Sequence, residues 1–413
     1  MATALPNRAV TGSDMLSVTE AEQCIRDNTR SFGTRACELD GAVGAILRED
    51  VAADRDLPPY DRVTMDGIAI SHEAIISGQR TFVVQETLAA GQPAPELLDQ
   101  HNCIEVMTGA VLPSGCDCVI PVERIKTANG QTVLESGYQP EVGQHIHHQG
   151  SDYPRGTVLL HAGMRLRPPD IAVLASVGKK IVTVAQEPKI AIVTTGDELV
   201  DIGETVLAHQ VRRSNDHAIA ATLYKDGLSD FSLAHVPDDR DQLESSIHNA
   251  LHNSDVVILS GGVSMGKFDY LPEVLENTDV RQVFHKVSQR PGKPMWFGVG
   301  PGKQSVFALP GNPVSALVCM RRFVVPALRR AAGMAPTPST IVRLAEMVRF
   351  KPELTWFLPV RLHRDDDGQI HAEPRPPNTS GDFATLSKSD GFVELERDRA
   401  EFPRGHTATF FGW

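Results

Sequence analysis

Residues 254–270 read SDVVILSGGVSMGKFDY, and the fold prediction begins from this stretch. The run from Val256 to Leu259 is unbroken and apolar, which is typical of an interior strand of a parallel sheet. It ends at Ser260-Gly261-Gly262, where the chain must turn, and a helical pattern begins at Asp269. Ligands of open α/β sheets bind outside the carboxyl ends of the strands, where glycines let backbone N–H groups approach an anion. We therefore expect a ligand-binding loop; the alternative is an ordinary turn with Asp269 as a helix N-cap.

Strand and helix patterns alternate on both sides of this stretch from Pro188 onward. The predicted strands are 190–194, 231–236, 256–260, 283–287 and 306–309. The predicted helices are 214–226, 239–252, 269–276 and 313–331. This alternation indicates a doubly wound α/β domain.

The rest of the chain has a different texture. A helix is predicted at 15–32, where Ser17 and Glu20 are placed for a capping box, and a shorter helical pattern covers 39–51. From about 68 to 150, short β-rich runs separated by Gly and Pro predict a small β domain. After Pro336 and Pro338, the last 75 or so residues predict a second small β domain.

Bulk properties limit the possible functions. A chain of 413 residues is too long for one ordinary core, so we expect three or four domains. The formal charge of −12 argues against nucleic-acid binding or a membrane-surface role. No apolar run approaches 18 residues and the N-terminus lacks a signal-peptide core, so we expect a cytoplasmic protein. The six cysteines contain no C-x-x-C pair, and we expect most of them to be buried.

Polar loops follow four of the predicted strands, at 195–198, 237–239, 261–264 and 309–313. In the last loop, Asn312 is a good N-cap and Pro313 a good first helical residue. The carboxyl ends of parallel strands share one edge of a sheet, so these loops predict one pocket. Each loop also has an alternative explanation as a turn followed by a cap.

Charged residues near these loops indicate an anionic ligand. Lys286, Arg290 and Lys293 lie in a segment stiffened by Pro and Gly, which suits a phosphate or other oxyanion; the alternative is a solvated turn. Six carboxylates lie in loops beside Gly or Pro: Asp66, Asp152, Asp197, Glu198, Asp238 and Asp269. Carboxylates beside an anion suit a hard cation such as Mg²⁺ that bridges them, although a lone Asp is more often a cap. His145, His147 and His148 are predicted to be exposed.

Taken in order, these motifs resemble the molybdopterin molybdenumtransferase family, the bacterial MoeA type and the E domain of gephyrin. The resemblance covers nearly the whole chain from about residue 15. It is carried by LPPYDRVTMDG at 57–67, VMTGA at 106–110 with LPSG at 112–115, TTGDEL at 194–199, SGGVS at 260–264 with DY at 269–270, RPGKP at 290–294, LPGNPVS at 309–315 and, more weakly, SGD at 380–382.

The resemblance implies a multidomain α/β plus β fold. Its expected parts are a lead-in and N-terminal helix at 1–32 packing on the α/β domain, a discontinuous connecting domain at 33–52 and 153–177, an inserted β-rich domain at 53–152, the α/β molybdopterin-binding domain at 178–333 and a C-terminal β domain at 340–413. It also implies a homodimer with the active cleft between protomers. Transient contact with other molybdenum cofactor synthesis proteins and apo-molybdoenzymes is expected.

The implied activity is insertion of molybdate into adenylated molybdopterin, with release of AMP, in the presence of Mg²⁺. The catalytic positions implied are Asp66, Asp152, Glu198, Asp238 and Asp269. Three of these, Asp66, Asp238 and Asp269, would also bind the metal. The substrate-binding positions implied are Thr108, Gly261, Gly262, Ser264, Lys286, Arg290, Lys293, Pro310, Asn312, Pro313, Ser315 and Ser380.

The sequence departs from the family pattern at several positions. Arg-Val-Thr at 62–64 replaces Asn-Ser-Ala, Ser151 replaces an acidic residue, Arg-Arg at 212–213 stands where an aspartate is usual, and Arg290 replaces a lysine. Leu354 stands where an arginine is expected to contact molybdate, and a leucine side chain cannot bind an oxyanion. Arg361 lies nearby in the sequence and is the candidate to replace that arginine. Two alternatives therefore remain: a carrier or chaperone that binds molybdopterin without inserting metal, and a scaffold that binds no pterin.

Overall fold

A computed structural model of the chain describes residues 15–263, 270–379 and 381–413. Its largest unit is built on a six-stranded sheet with the order Phe231–Val236, Ile190–Thr195, Val256–Ser260, Ser305–Leu309, Trp296–Val299, Arg281–His285. The first four strands are parallel to one another. Trp296–Val299 is antiparallel to Ser305–Leu309, and Arg281–His285 is antiparallel to Trp296–Val299. All five residues of Val256–Ser260 are buried, as an apolar run at the centre of a parallel sheet requires. The predicted doubly wound α/β fold is confirmed.

The helices around this sheet follow the predicted pattern, with shifted ends. They are Asn215–Lys225, Arg240–Asn253, Leu271–Asn277, Pro313–Cys319 and Val325–Ala331. The last two were predicted as one helix, but the chain forms a π-helical turn over Met320–Val324 between them. Pro326 has no N–H to donate to the carbonyl four residues earlier, which favours a different hydrogen-bond spacing here.

The N-terminal helix Val18–Asn28 packs into the core of the α/β unit. Its buried residues Val18, Ala21 and Ile25 belong to the same hydrophobic cluster as Ile192 and Ile258 of the sheet. The predicted capping box is present: the Ser17 N–H donates to Glu20 Oε2 (2.8 Å), and the Glu20 N–H donates to Ser17 Oγ (3.2 Å).

The inserted segment forms a second six-stranded sheet, as its short β-rich runs predicted. The strand order is Cys118–Pro121, Gly67–Ile70, Asn102–Val106, Thr81–Leu88, Gln131–Leu134, Ile125–Ala128. A short helix, His72–Ile76, follows Gly67–Ile70. Gly67 is required sterically, because a Cβ there would lie 1.9 Å from the carbonyl oxygen of Ile120 in the adjacent strand.

The predicted helix at 39–51 is wrong. Only a 3₁₀ turn, Leu39–Gly41, forms there. Ile46 and Leu47 instead make antiparallel bridges to Arg165 and Val184. In this connecting region Thr34–Glu38 pairs with Ile181–Ala185, Val51–Ala52 pairs with Val158–Leu160, and the helix is Pro168–Ser176. Two other short pairs lie elsewhere: Arg62–Val63 with Ile146–His147 in the inserted segment, and Leu199–Val200 with Val211–Arg212 in the α/β unit.

The C-terminal unit is a small closed β-barrel. Its strands follow one another around the barrel as Thr355–Arg364, Ile370–Pro374, Thr340–Leu344, Thr407–Gly412 and Gly391–Leu395, and the last pairs again with the first. A two-stranded ribbon, Val348–Arg349 with Glu401–Phe402, and the short helix Phe383–Leu386 complete it. The α/β unit contributes the strand Gln289–Arg290, which adds to Thr355–Arg364 in parallel.

The described part of the chain contains no helix that is both long and apolar enough to cross a membrane.

Candidate functional site

Four loops meet at the carboxyl edge of the α/β sheet, as their positions in the sequence predicted. The Gly261 N–H donates to the Leu309 carbonyl oxygen (3.3 Å). Gly261 has φ +104°, and a Cβ on it would lie 2.6 Å from the carbonyl oxygen of Thr195. A Cβ on Gly311 would lie 3.5 Å from the Gly261 Cα. Glycine at 261 is therefore required both by its backbone conformation and by the close approach of the neighbouring loop.

Asn215, the first residue of a helix, joins two of these loops. Its Nδ2 donates to Ser260 Oγ (2.9 Å) and to the Gly311 carbonyl oxygen (2.8 Å). Asn215 was not among the predicted site residues, although the family departure at Arg212 and Arg213 lies just before it. An Asn at the start of a predicted helix, opposite a glycine loop, was the signal that could have identified this residue.

Asp238 is held in place by the neighbouring strand. Thr195 Oγ1 donates to Asp238 Oδ1 (2.6 Å), and the Asp197 N–H makes a longer contact to Oδ2 (3.4 Å). In return, the Asp238 N–H donates to Asp197 Oδ1 (3.0 Å). Glu198 is exposed, with its carboxylate beside Gly196. The structure thus brings the predicted residues Glu198 and Asp238 to the same edge as the glycine loop.

The cationic hairpin lies at this same edge. His285 pairs with Trp296, which pairs with Ala308 one residue before the end of its strand. Arg290 and Lys293 are exposed on the hairpin, and the Arg290 guanidinium lies 5.9 Å from the centre of the Phe350 ring. Gly292, with φ +90°, packs against Cys319 and lies near Ser315. The predicted cations therefore lie beside the loops that carry the predicted glycines.

His285 joins this hairpin to the glycine loop. Burial lowers its pKa, the charge of Lys286 lowers it further, and a hydrogen bond with the backbone of Val263 acts in the opposite direction. The lowered pKa favours the neutral form of this half-buried ring.

The loop at 309–313 begins its helix as predicted. Asn312 occupies the N-cap position and Pro313 the first helical position. Asn312 makes no side-chain capping hydrogen bond, in contrast to the expectation that it is a good cap. Pro310 is buried beside Gly311, and Ser315 is buried one turn into the helix.

Asp66 and Thr108 form a pair in the inserted β unit. The Thr108 N–H and Oγ1 both donate to Asp66 Oδ1, each at 2.7 Å. The backbone hydrogen bond, followed by the side-chain one, lowers the pKa of Asp66 below its ordinary value. The exposed carboxylate is therefore held ionised and oriented.

Asp152 lies at a separate opening of the inserted unit, a cavity of about 610 Å³ lined also by Pro58, Pro59 and Arg62. His147 Nε2 lies 3.0 Å from Asp152 Oδ1, and Arg62 Nη2 lies 3.0 Å from His147 Nδ1. Since Arg can only donate, Nδ1 accepts, and the proton on Nε2 points to Asp152. His145 and His147 are half-buried, not exposed as predicted, whereas His148 is exposed. No pattern in the sequence indicates the contacts of His147.

Three predicted site residues, Ser264, Asp269 and Ser380, lie outside the described residues. The others fall into two groups: Asp66, Thr108 and Asp152 in the inserted unit, and the remainder at the edge of the α/β sheet. Within residues 15–263, 270–379 and 381–413, no hydrogen bond or ion pair joins the two groups. In the same ranges, no three His, Cys, Asp or Glu side chains are grouped so as to hold a metal ion.

Three family models together match most of the chain. The MoeA N-terminal region (domain I and II) matches residues 16–178, a probable molybdopterin binding domain matches 191–330, and the MoeA C-terminal region (domain IV) matches 342–411. The molybdopterin molybdenumtransferase of a Synechocystis species is 40% identical over 400 residues, which cover 97% of this chain and 100% of that protein. The chain belongs to the molybdopterin molybdenumtransferase family.

Other relatives agree with this assignment. The molybdopterin molybdenumtransferase of Staphylococcus aureus strain Mu50 is 30% identical over 398 residues, covering 95% of this chain and 94% of that protein. The solved structure of a molybdopterin biosynthesis MoeA protein from Pyrococcus horikoshii OT3 superposes with a TM-score of 0.81 at 26% identity, covering 97% of this chain and 100% of that one.

One departure from the molybdenumtransferase pattern is structural as well as chemical. Leu354 packs on the hydrophobic core of the C-terminal barrel. Arg361 does not replace the missing arginine at the hairpin. The barrel partner of Arg290 is Trp356, and Arg361 lies five residues further along that strand, about 17 Å away at 3.4 Å per residue. Arg290, whose guanidinium lies 5.9 Å from the centre of the Phe350 ring, is a cation that the hairpin presents to this part of the barrel.

Proposed function

We propose that this chain is a molybdopterin molybdenumtransferase that inserts molybdate into adenylated molybdopterin, with release of AMP, to form the molybdenum cofactor. The observation that carries the proposal is the meeting of glycine loops, carboxylates and a cationic hairpin at one edge of the sheet. Family membership over nearly the full length supports it. We place the reaction in the cytoplasm.

The chemistry joins three groups that carry negative charge: molybdate, a dithiolate and a phosphoanhydride. Arg290 and Lys293 would hold oxyanion oxygens through charge-assisted hydrogen bonds. The loop at Gly261 and Gly262 admits a pterin phosphate close to the backbone, because no side chain stands in the way. Water attacks the phosphoanhydride directly, or it cleaves the phosphate–molybdate anhydride that is left after a molybdate oxygen has attacked the pterin phosphate; in both cases the P–O bond to AMP breaks and AMP leaves. Two Mo–S bonds form to the dithiolate while one molybdate oxygen takes two protons and leaves as water. Positioning and charge neutralisation suffice, so no covalent protein nucleophile is required.

Magnesium fits the donor chemistry of the site, since Asp66 and Asp238 present carboxylate oxygens, the ligands that a hard cation prefers. Mg²⁺ is usually held by one or two carboxylates together with substrate phosphates and water, so three grouped carboxylates are not needed. When bound, the ion would neutralise phosphate and molybdate charge. Asp269, at a third family position, belongs to the same proposal.

We propose that the active cleft forms between two protomers of a homodimer. The support is that, among the described residues of one chain, no hydrogen bond or ion pair joins Asp66, Thr108 and Asp152 to the predicted residues at the α/β edge. Mixing two impaired variants, Asp66→Asn and Lys293→Gln, tests this. After subunit exchange, about half of the dimers would be mixed and each would hold one intact site, giving about a quarter of wild-type activity. No recovery in a mixture proven to contain mixed dimers would contradict the shared cleft.

Turnover of Lys293→Gln tests the proposed function of the hairpin. The substrates would be adenylated molybdopterin, molybdate and Mg²⁺, with AMP release followed by chromatography. Loss of one charge-assisted hydrogen bond predicts a fall in kcat/KM of about 10- to 100-fold. Lys303→Gln is the matched control, since Lys303 is an exposed lysine on the turn beyond the opposite end of the strand Trp296–Val299. Equal activity of the two variants would contradict the role of Lys293.

The position of Leu354 favours a second candidate, a carrier that binds molybdopterin without inserting metal. Its side chain packs on the barrel core, so the residue supplies no cation to the hairpin. Tight pterin binding with no AMP release would select the carrier, and turnover would reject it.

A further inference from the structure

A cavity distant from the proposed active site lies between the α/β unit and the connecting strands. Its volume is about 220 Å³. One wall comes from the connecting region, including Arg35, Ile46 and Arg165, and the other from the α/β unit, including Asp226 and Arg329.

Positive charge exceeds negative charge around this cavity. Asp226 is buried and binds two arginines: Arg321 Nη1 donates to its Oδ2 (2.8 Å), and Arg329 Nε donates to its Oδ1 (2.8 Å). Arg165 Nη2 donates only to the backbone carbonyl oxygen of Asp226 (2.9 Å). The single carboxylate of Asp226 is therefore hydrogen-bonded by Arg321 and Arg329, and among the described residues Arg165 forms no side-chain ion pair with a carboxylate.

Two further charges border the cavity. Arg35 is exposed, and its side chain makes no ion pair in the described ranges of the chain. Glu187 is the other carboxylate, and its Oε1 already accepts hydrogen bonds from the backbone N–H groups of Ser229 and Asp230. Three guanidinium groups, those of Arg35, Arg165 and Arg329, thus line the cavity with two carboxylates, and Arg321 binds one of these carboxylates from outside the lining. This local excess of positive charge lies in a protein whose formal net charge is −12.

The excess of positive charge around the cavity affects Arg165. A guanidinium has five N–H donors, and the described contacts of Arg165 use one of them. Burial lowers the pKa of Arg165, and repulsion by Arg329 lowers it further, against the attraction of Asp226. An anion in the cavity would relieve this repulsion and accept the remaining donors in the planar geometry that Arg offers.

We infer that this cavity is a binding site for a small tetrahedral oxyanion, such as inorganic phosphate, held by Arg35, Arg165 and Arg329. The anion would link the connecting region to the α/β unit, because Arg35 and Arg165 lie in the connecting region and Arg329 lies in the α/β unit. The inference is independent of the proposed transferase activity, whose hairpin lies at the carboxyl edge of the sheet.

Calorimetric titration of the full chain with inorganic phosphate, at constant ionic strength set by chloride, tests the site. Arg165→Gln removes the guanidinium without replacing its charge, and binding should weaken by about 10- to 100-fold. Arg35→Gln should weaken it in the same direction, and this exposed position has no described side-chain partner to disturb folding. Arg364→Gln is the matched control, an exposed arginine bonded to the Gly368 carbonyl oxygen in a distant turn.

The outcomes separate this site from the hairpin. Phosphate binding that survives Lys293→Gln and Arg364→Gln but is weakened by Arg35→Gln supports the inference. Binding lost in Lys293→Gln and unaffected by both cavity variants would assign the anion to the hairpin and overturn it. Absence of binding to the wild-type protein at about 10 mM phosphate, which is roughly ten times the upper end of typical KM values, would also overturn it. Titration with molybdate in place of phosphate then identifies which tetrahedral oxyanion the cavity prefers.

Discussion

The hydrogen bond from Thr195 to Asp238 gives the sharpest prediction about the candidate site. Thr195 is 8% exposed, and its Oγ1 lies 2.6 Å from Asp238 Oδ1. Thr195→Val replaces the hydroxyl with a methyl group of similar shape and leaves the carboxylate without its closest donor. Hydrogen bonds to charged groups contribute about 1.5–3 kcal/mol. Because Asp238 is half-buried and water can reach it, we expect the lower end, about 1.5 kcal/mol of unfolding free energy.

The assay is thermal unfolding, followed by tryptophan fluorescence, to which the buried Trp296 in the same sheet contributes. For a unit of 150 residues or more, 1.5 kcal/mol corresponds to a fall in Tm of about 3–6 °C. Thr194→Val is the matched control, since Thr194 Oγ1 makes only a 3.4 Å contact to the Ala234 carbonyl oxygen, beyond ordinary hydrogen-bond length. If Thr195→Val is no less stable than Thr194→Val, the reasoning about Asp238 is refuted.

Three further predictions concern the glycine loop, the inserted unit and the thiols. Gly261→Ala should unfold at lower urea and lose pterin binding, because its Cβ would lie 2.6 Å from the Thr195 carbonyl oxygen at φ +104°; wild-type values for both would contradict this. Thr108→Val should raise the pKa of Asp66 in a carboxylate NMR titration. Because folding lowers the pKa of Asp66, this carboxylate stabilises the folded protein above its unfolded-state pKa, and the stabilisation is lost as pH falls through its folded-state pKa. The free energy of unfolding of the variant should therefore fall less on acidification than that of the wild-type protein. Cys24 should react first with a thiol reagent at neutral pH, because its side chain is only half-buried. Burial raises the pKa of four other thiols to about 11 or 12, namely those of Cys103, Cys116, Cys118 and Cys319. Faster labelling of one of these four would contradict the prediction.

Periodicity predicted the α/β unit well where burial and pattern agree. The strands Phe231–Val236 and Val256–Ser260 have the predicted ends. The predicted strand at 283–287 begins and ends two residues earlier, because Lys286 adopts φ +75° and ends it. The helix predicted at 39–51 failed for a tertiary reason. Its apolar spacing resembles a helix, but Ile46 and Leu47 are satisfied by pairing with distant strands.

The candidate site could be predicted only in part. Loops that follow parallel strands share an edge by topology, so Gly261 and Asp238 could be grouped from the sequence. No pattern in the sequence shows that Asp152 is held by His147, or that Arg62 sets the tautomer of that ring, because both contacts depend on the pairing of two short strands. The limits given above for the domains, and the roles given to individual site residues, stay predictions.

The most direct test of the central claim is AMP release by the purified protein from adenylated molybdopterin with Mg²⁺, measured with and without molybdate and coupled to activation of an apo-molybdoenzyme. A molybdenumtransferase should release AMP in step with the activation, and both should depend on molybdate. Tight pterin binding with neither signal would contradict the transferase and assign the protein to the carriers.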